Sequence, residues 1–259
     1  MVELLIVGGG KMGEALLGGL LAVQPEGIAV VELVAERRAE LEGTYGVSTF
    51  EAPVRAEAAI VAVKPQYVAS VCRELAEVGV SRVLSIAAGV TLATLEDALG
   101  PGIAAIRAMP NTPALVGKGA SALAGGTAAT PDDVEWAVGI LGSVGAVVTV
   151  DEAALDAVTG LSGSGPAYIF LVAEAMVEAG VLNGLPRDLA TVLAFNTIAG
   201  AGEMLLFEGA DAATLRANVT SPGGTTAAGL AALEGHGVRS AFLEAVSRAA
   251  ERSRDLGGR

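Results

Sequence analysis

Leu4-Leu5-Ile6-Val7-Gly8-Gly9-Gly10-Lys11-Met12-Gly13-Glu14-Ala15 is the stretch on which the fold turns. An apolar run breaks into glycines, and Gly8, Gly10 and Gly13 stand in G-x-G-x-x-G spacing ahead of a helical pattern. Gly8 permits a tight turn, Gly10 lets the backbone approach a pyrophosphate, and Gly13 allows helix and strand to touch. The helix N-terminus then offers free N–H groups to an anion. In a chain with 35 glycines the spacing alone would be weak. Its place at the first strand of a series of strand-helix units makes it specific, and it predicts a dinucleotide site.

Outward from that stretch, short β-branched runs alternate with helix-like segments as far as about Val150, the pattern of a parallel sheet. The candidate strands are Glu3 to Val7, Ile28 to Val34, Ala58 to Val63, Arg82 to Ile86, Ile103 to Ala108, Ala120 to Ala124 and Ala146 to Val150. After Asp151 the texture becomes Ala-, Leu- and Glu-rich with helical spacing. The expected fold is α/β: a Rossmann-like dinucleotide-binding domain over 1–150, then an all-helical domain over 151–259. The helical segments Ala167 to Val181 and Leu189 to Leu206 are apolar on more than one face and need cover on several sides. A second copy is expected to supply it, as a homodimer or larger.

Composition excludes other classes. With 52% hydrophobic and 17% charged residues the chain has ample apolar surface to bury, which rules against disorder. Aromatics at 3% provide no platform for single-stranded nucleic acid. A formal charge of −13 repels phosphate backbones, so an anionic ligand must be held by local donors and nucleic acid is not an expected partner. The charge-free run Ala157 to Ala173 contains Gly, Ser and Pro and is read as falling short of a membrane span. The opening Met1-Val2-Glu3 lacks a basic flank, and the expected location is cytoplasmic. The single cysteine, Cys72, and single histidine, His236, exclude disulfides and thiolate or paired-histidine metal sites. Cys72 reads as a buried apolar residue and His236 as a turn residue between helices.

At the expected end of the second strand, Glu36 would accept from an adenosine ribose, while Arg37 or Arg38 would accommodate a 2′-phosphate. NADPH and NADH both stay open. The three lysines, Lys11, Lys64 and Lys118, all lie in the first domain. Lys11 sits in the glycine loop and Lys64 at a carboxyl strand edge, in Ala62-Val63-Lys64-Pro65, where ligands of such sheets bind. Lys118 reads as a solvated turn residue. The helical half has no lysine, so it lacks a strong general acid. A protonated imine needs none, because it already carries the positive charge that a hydride removes. For a substrate carboxylate, Ser221-Pro222-Gly223-Gly224-Thr225-Thr226 reads as a helix start rich in N–H groups, with Ser221 as cap and Pro222 at the first helical position. Gly160 to Ala167 forms a second small-residue turn suited to close packing between subunits. Met109-Pro110-Asn111-Thr112-Pro113 follows a strand and would place Asn111 near a nicotinamide.

Taken in order, the glycine loop, Ala62-Val63-Lys64-Pro65-Gln66, Met109 to Pro113, Leu161-Ser162-Gly163-Ser164-Gly165-Pro166-Ala167-Tyr168 and Ser221 to Thr226 resemble pyrroline-5-carboxylate reductases over nearly the whole chain. The resemblance implies reduction of L-1-pyrroline-5-carboxylate to L-proline by NADPH or NADH, and a helical domain that interlocks with its twin in dimers that often form decamers. It implies that Gly223, Gly224 and Thr225 bind the substrate carboxylate and that Thr226 orients the ring nitrogen. It further implies that Gly8, Gly10, Lys11 and Met12 contact the cofactor diphosphate, and that Ala62, Lys64, Pro65 and Asn111 line the nicotinamide pocket, with Gly13 and Val63 beside them. Many relatives carry a polar residue and Arg at the adenosine-phosphate strand end, where Ala35-Glu36 is read here. The rivals are another reductase of the same build and a binding protein without turnover. The β-hydroxyacid enzymes depend on a helical-domain lysine that this chain lacks, and the intact Ser221 to Thr226 argues against a protein that has lost turnover.

Overall fold

The computed structural model describes residues 2–24, 26–207 and 209–258. Eight strands, β1 (Val2–Val7), β2 (Ile28–Val31), β3 (Ser48–Phe50), β4 (Ala56–Val61), β5 (Arg82–Ser85), β6 (Ala104–Met109), β7 (Gly119–Gly125) and β8 (Gly145–Thr149), form one sheet in the order β3-β2-β1-β4-β5-β6-β7-β8. All neighbours are parallel except β6 and β7. The order reverses between β1 and β4, which opens a crevice at their carboxyl ends where doubly wound sheets bind ligands.

The apolar strand runs are continuous because both faces are covered. Leu5, Val7, Ala29, Val31, Ala59 and Val61 face α3 (Val68–Glu77) and α4 (Leu92–Leu99) through Cys72, Leu75 and Leu95. The alternate residues Leu4, Ile6, Ile28, Val30, Ala58 and Ile60 face α1 (Lys11–Leu21), α2 (Ala35–Tyr45) and α5 (Pro131–Gly142) through Leu16, Leu17, Leu41 and Leu141. This period-two partition locks the register, since a one-residue slip would exchange the two faces.

Several strand bounds differ from the sequence reading: β4 runs over Ala56–Val61 rather than Ala58 to Val63, leaving Ala62 and Val63 beyond its end. β2 stops at Val31 rather than Val34, because the Glu32 carboxylate accepts from the Val34 amide at 2.9 Å and turns the chain toward α2. The short, half-exposed β3 was not anticipated, since three residues carry no readable alternation.

The chain divides into two compact units, one made of residues up to Ser164 and from Val246 onward, the other of Gly165–Ala245. The expected 150/151 division marks the end of the sheet, but the first unit runs past it. Leu155 and Asp156 of α6 (Leu155–Val158) are buried, and a Cβ on Gly160 would lie 2.5 Å from the Val246 carbonyl oxygen of α11 (Val238–Leu256). Gly160 is thus a close-packing position within one chain rather than between subunits. The Asp156 carboxylate accepts from Ser253 at 2.8 Å and faces Arg107, which also pairs with Glu152 at 2.9 Å.

In the second unit α7 (Gly165–Leu182) and α8 (Arg187–Leu205) pack against each other. A Cβ on Gly180 would stand 3.0 Å from that of Ala190, and Val177, Ala190 and Ala194 are buried. Phe170 and Phe195 remain 61% and 54% exposed, as expected of helices apolar on several faces. The helical stretch Glu152–Leu182 is long and apolar enough, by length and composition, to cross a membrane. Within the first unit a π-helical turn covers Thr159–Gly163, the small-residue segment noted in the sequence. Two shorter helices, α9 (Ala212–Asn218) and α10 (Thr225–Gly235), complete the second unit with the first turns of α11.

Candidate active site

The glycine loop forms at the carboxyl end of β1, and each glycine has its own steric reason. Gly8 has φ +109°, and a Cβ there would lie 2.6 Å from the Ala62 carbonyl oxygen. A Cβ on Gly13 would lie 2.0 Å from the Gly8 oxygen, so α1 and the loop touch through bare backbone. Gly10 is different: around its missing side chain nothing lies within 4 Å. It is the N-cap of α1 and no side chain caps the helix, so the amides of Lys11, Met12 and Gly13 begin a positively polarised helix end facing open space. This is a cradle that a Cβ would fill, and it fits a dinucleotide diphosphate. Lys11 is exposed at its rim.

Glu36 and Arg37 are not where the sequence reading placed them. Because β2 ends early, Glu36 lies exposed in the first turn of α2, and the acid at the strand end is Glu32. Its Oε2 accepts from the Gly9 amide at 3.0 Å. Arg37 braces the loop, donating from Nε to the Gly9 carbonyl at 2.9 Å and pairing with Glu40 and Glu14. Hydrogen bonds to these two carboxylates raise its pKa above the ordinary arginine value. Arg38 donates to the Glu32 and Leu33 carbonyls at 2.8 and 2.9 Å and pairs with Glu51. Sequence reading missed Glu32, although an acid directly after the apolar run Ile28–Val31 was its signal.

Ala62, Val63, Lys64 and Pro65 follow β4, the strand beside β1. The Ala62 amide donates to Val7 at 2.8 Å, and Val63 touches the space beside Gly8. Lys64 and Pro65 are exposed at this carboxyl edge. Asn111 follows β6 but is 7% exposed, and both ends of its amide are engaged internally. Its Nδ2 donates to the Ser162 carbonyl at 2.9 Å and its Oδ1 accepts from the Ala120 amide at 2.8 Å. Its side chain therefore holds the β6–β7 connection against the π-turn.

In the second unit, Ser221-Pro222-Gly223-Gly224 forms a turn closed by the Gly224 amide donating to Ser221 at 3.0 Å, with Gly223 at φ +69°. Pro followed by a positive-φ Gly is the pattern of a type II turn. This corrects the reading of Ser221 as cap and Pro222 as first helical residue: the N-cap of α10 is Gly224, and the helix starts at Thr225. No side chain caps α10, so the amides of Thr225, Thr226 and Ala227 are presented at its tip. A Cβ on Gly224 would lie 2.3 Å from the Ser221 hydroxyl oxygen, which explains the second glycine. Thr226 is partly exposed, with its hydroxyl in the first turn.

Cys72 is fully buried, and burial pushes its thiol up to about 11, as expected of an inert cysteine. His236 ends α10 in the exposed turn before α11.

Comparison with known proteins joins the two halves. Residues 152–256 match the family model for pyrroline-5-carboxylate reductase dimerisation, and residues 3–89 match one for NADP oxidoreductases, coenzyme F420-dependent. A pyrroline-5-carboxylate reductase of Methanosarcina acetivorans is 46% identical over 97% of this chain and 96% of its own. The Corynebacterium melassecola protein of that name is 40% identical over 99% of both. A solved reductase from Coxiella burnetii superposes with a TM-score of 0.93 at 35% identity over 98% of both chains. One from Plasmodium falciparum, solved with NADP bound, gives 0.86 at 30% over 99% of this chain and 98% of that one. With a glycine cradle in one unit, an uncapped helix tip in the other and relatives matching along their whole length, the chain belongs to the pyrroline-5-carboxylate reductase family.

Proposed function

We infer that this chain reduces L-1-pyrroline-5-carboxylate to L-proline with NAD(P)H, the closing step of proline synthesis. The observation that carries the reading is the pair of uncapped helix starts, Gly10 before α1 and Gly224 before α10, in a chain of this family. Each offers backbone donors to an anion where a side chain would block approach, one for a diphosphate and one for a substrate carboxylate.

When bound, the reduced nicotinamide supplies a hydride to the imine carbon. The amides of Lys11 and Met12 hold the diphosphate end, Gly8 and Ala62 keep the loop closed beneath it, and Lys64 and Pro65 border the nicotinamide end. The amides at Gly224 to Thr226 fix the carboxylate, and the Thr226 hydroxyl orients the ring nitrogen. The protonated imine brings its own cation and becomes a neutral amine as the hydride reaches carbon, so no residue has to deliver a proton to nitrogen during that step. The acceleration then comes mainly from positioning.

The matched dimerisation segment points to self-association, and a homodimer is the assembly we propose. A mostly apolar groove of about 420 Å³ between α7 and α8, with Ile169, Phe170, Phe195 and Ile198 in its wall beside Glu174, is the surface a second copy would cover. A cytoplasmic location goes with this reading.

Purified protein mixed with pyrroline-5-carboxylate and NADH or NADPH is the test. Rapid oxidation of the nucleotide with stoichiometric proline is expected, and nucleotide binding without proline would overturn the reading.

A further inference from the structure

The two pyridine nucleotides differ only at the adenosine ribose, where NADH carries a 2′-hydroxyl and NADPH a phosphate. In a Rossmann sheet that ribose lies at the carboxyl end of the second strand. Here a cavity of about 230 Å³ opens at the ends of β1 and β2, with Gly8, Glu32, Leu33, Glu51, Tyr67 and Glu74 in its wall. Three carboxylates line it, and among the described residues no lysine or arginine does.

Glu32 is the first residue after β2. Its two oxygens are held by the Gly9 and Val34 amides at 3.0 and 2.9 Å. A carboxylate has about four lone-pair sites, so roughly two remain to accept from a vicinal diol. The amide bonds fix the side chain before any ligand arrives, which removes an ordering cost from binding. A 2′-phosphate, carrying about −1.5 to −2 charges, would instead meet the fixed Glu32 anion, with Glu74 in the same wall and Glu51 already neutralised by Arg38.

The nearby cations are already committed to protein partners. Arg38 turns its guanidinium onto the Glu32 and Leu33 carbonyls and pairs with Glu51, while Arg37 pairs with Glu14 and Glu40 and holds the Gly9 carbonyl. Leu33 and Val34, which follow Glu32, are 80% and 54% exposed and carry no side-chain donor. We propose that Glu32 is the coenzyme-specificity residue of this chain and selects NADH over NADPH. The proposal rests on the reading of the glycine loop as a nicotinamide dinucleotide site, and it is specific to this chain, whatever coenzyme its relatives use.

The test is a fluorescence titration of the full-length protein with NADH and with NADPH, alongside kcat/KM for each. The wild-type protein is expected to bind NADH at least about tenfold more tightly, like-charge juxtaposition being the discriminating cost. Glu32→Gln should cut that preference at least about fivefold by weakening NADH binding. Glu32→Ser with Leu33→Arg should reverse it, read as the ratio of the two dissociation constants and of the two kcat/KM values. Should Glu32→Gln lower the melting temperature because the glycine loop loses its brace, the wild-type ratio and the double variant decide. Equal or tighter NADPH binding by the wild-type protein, or an unchanged ratio in Glu32→Gln, would overturn the proposal. Preferential NADH binding without turnover would sink the reaction assigned above but not this selectivity. Failure to bind either nucleotide would sink both.

Discussion

Replacing Gly10 by alanine separates binding from folding at one atom. Gly10 sits at φ −70°, ψ 177°, a conformation open to any residue, and nothing lies within 4 Å of the position its Cβ would take. The methyl group therefore costs the apo fold little: alanine is a poorer N-cap than glycine, but it also restricts the unfolded chain, and the two effects oppose each other. In the holo state the methyl projects where we place the diphosphate. Losing or lengthening one hydrogen bond to a charged phosphate is worth about 1.5–3 kcal/mol. At 1.36 kcal/mol per decade that is a roughly 10- to 150-fold rise in the coenzyme dissociation constant. The assay is a fluorescence titration with NADH paired with thermal melting of the apo protein. Weakened binding at an unchanged melting temperature is expected. Binding within twofold of wild type would refute the placement of the diphosphate over Gly10, and a drop of many degrees in the melt would refute the steric argument. Gly13→Ala is the contrast: its Cβ would lie 2.0 Å from the Gly8 oxygen, so both melting temperature and binding should fall.

Thr226→Ala should lower kcat by roughly 10- to 100-fold, with Thr226→Ser close to wild type, if the hydroxyl orients the imine nitrogen; a loss near a million-fold would reveal proton transfer by this residue. Arg107→Met removes a buried cation that pairs with Glu152 and faces Asp156, and should lower stability in urea unfolding by about 3–5 kcal/mol with little change in KM. Glutamate at Phe170 and Phe195 together should convert a sedimenting dimer to monomer, whereas a wild-type monomer at micromolar concentration would remove the dimer. The Cys72 thiol, raised by burial from 9.0 to about 11, should resist alkylation in the native protein at pH 8. Because the fold favours its neutral form, its contribution to stability is full below pH 9 and is lost as pH rises toward 11, which alkaline melts of wild type and Cys72→Ala would compare.

Most of the fold was legible because its signals are local. The G-x-G-x-x-G loop, the apolar strand runs and the change of texture after Asp151 each depend on residues near one another in the chain, and the resemblance of ordered motifs carried the family. What stayed hidden depends on distance in sequence. Glu36 looked like the strand-end acid until the turn at Glu32 shortened β2, and the role of Glu32 became plain when its carboxylate met the Gly9 amide in the loop after β1. Asn111 was read as a pocket residue, and the structure adds a second role, since its amide links Ser162 and Ala120, partners that only the assembled structure brings to it. Ser221 and Pro222 looked like a helix start, and the positive φ of Gly223 made them a turn, moving the cap to Gly224. Residue type and short-range pattern thus determined which chemistry the chain carries; which acid, which amide and which arginine remain available to a ligand was decided by hydrogen bonds that close across the tertiary structure, because a polar group already satisfied by a buried partner has little left to offer.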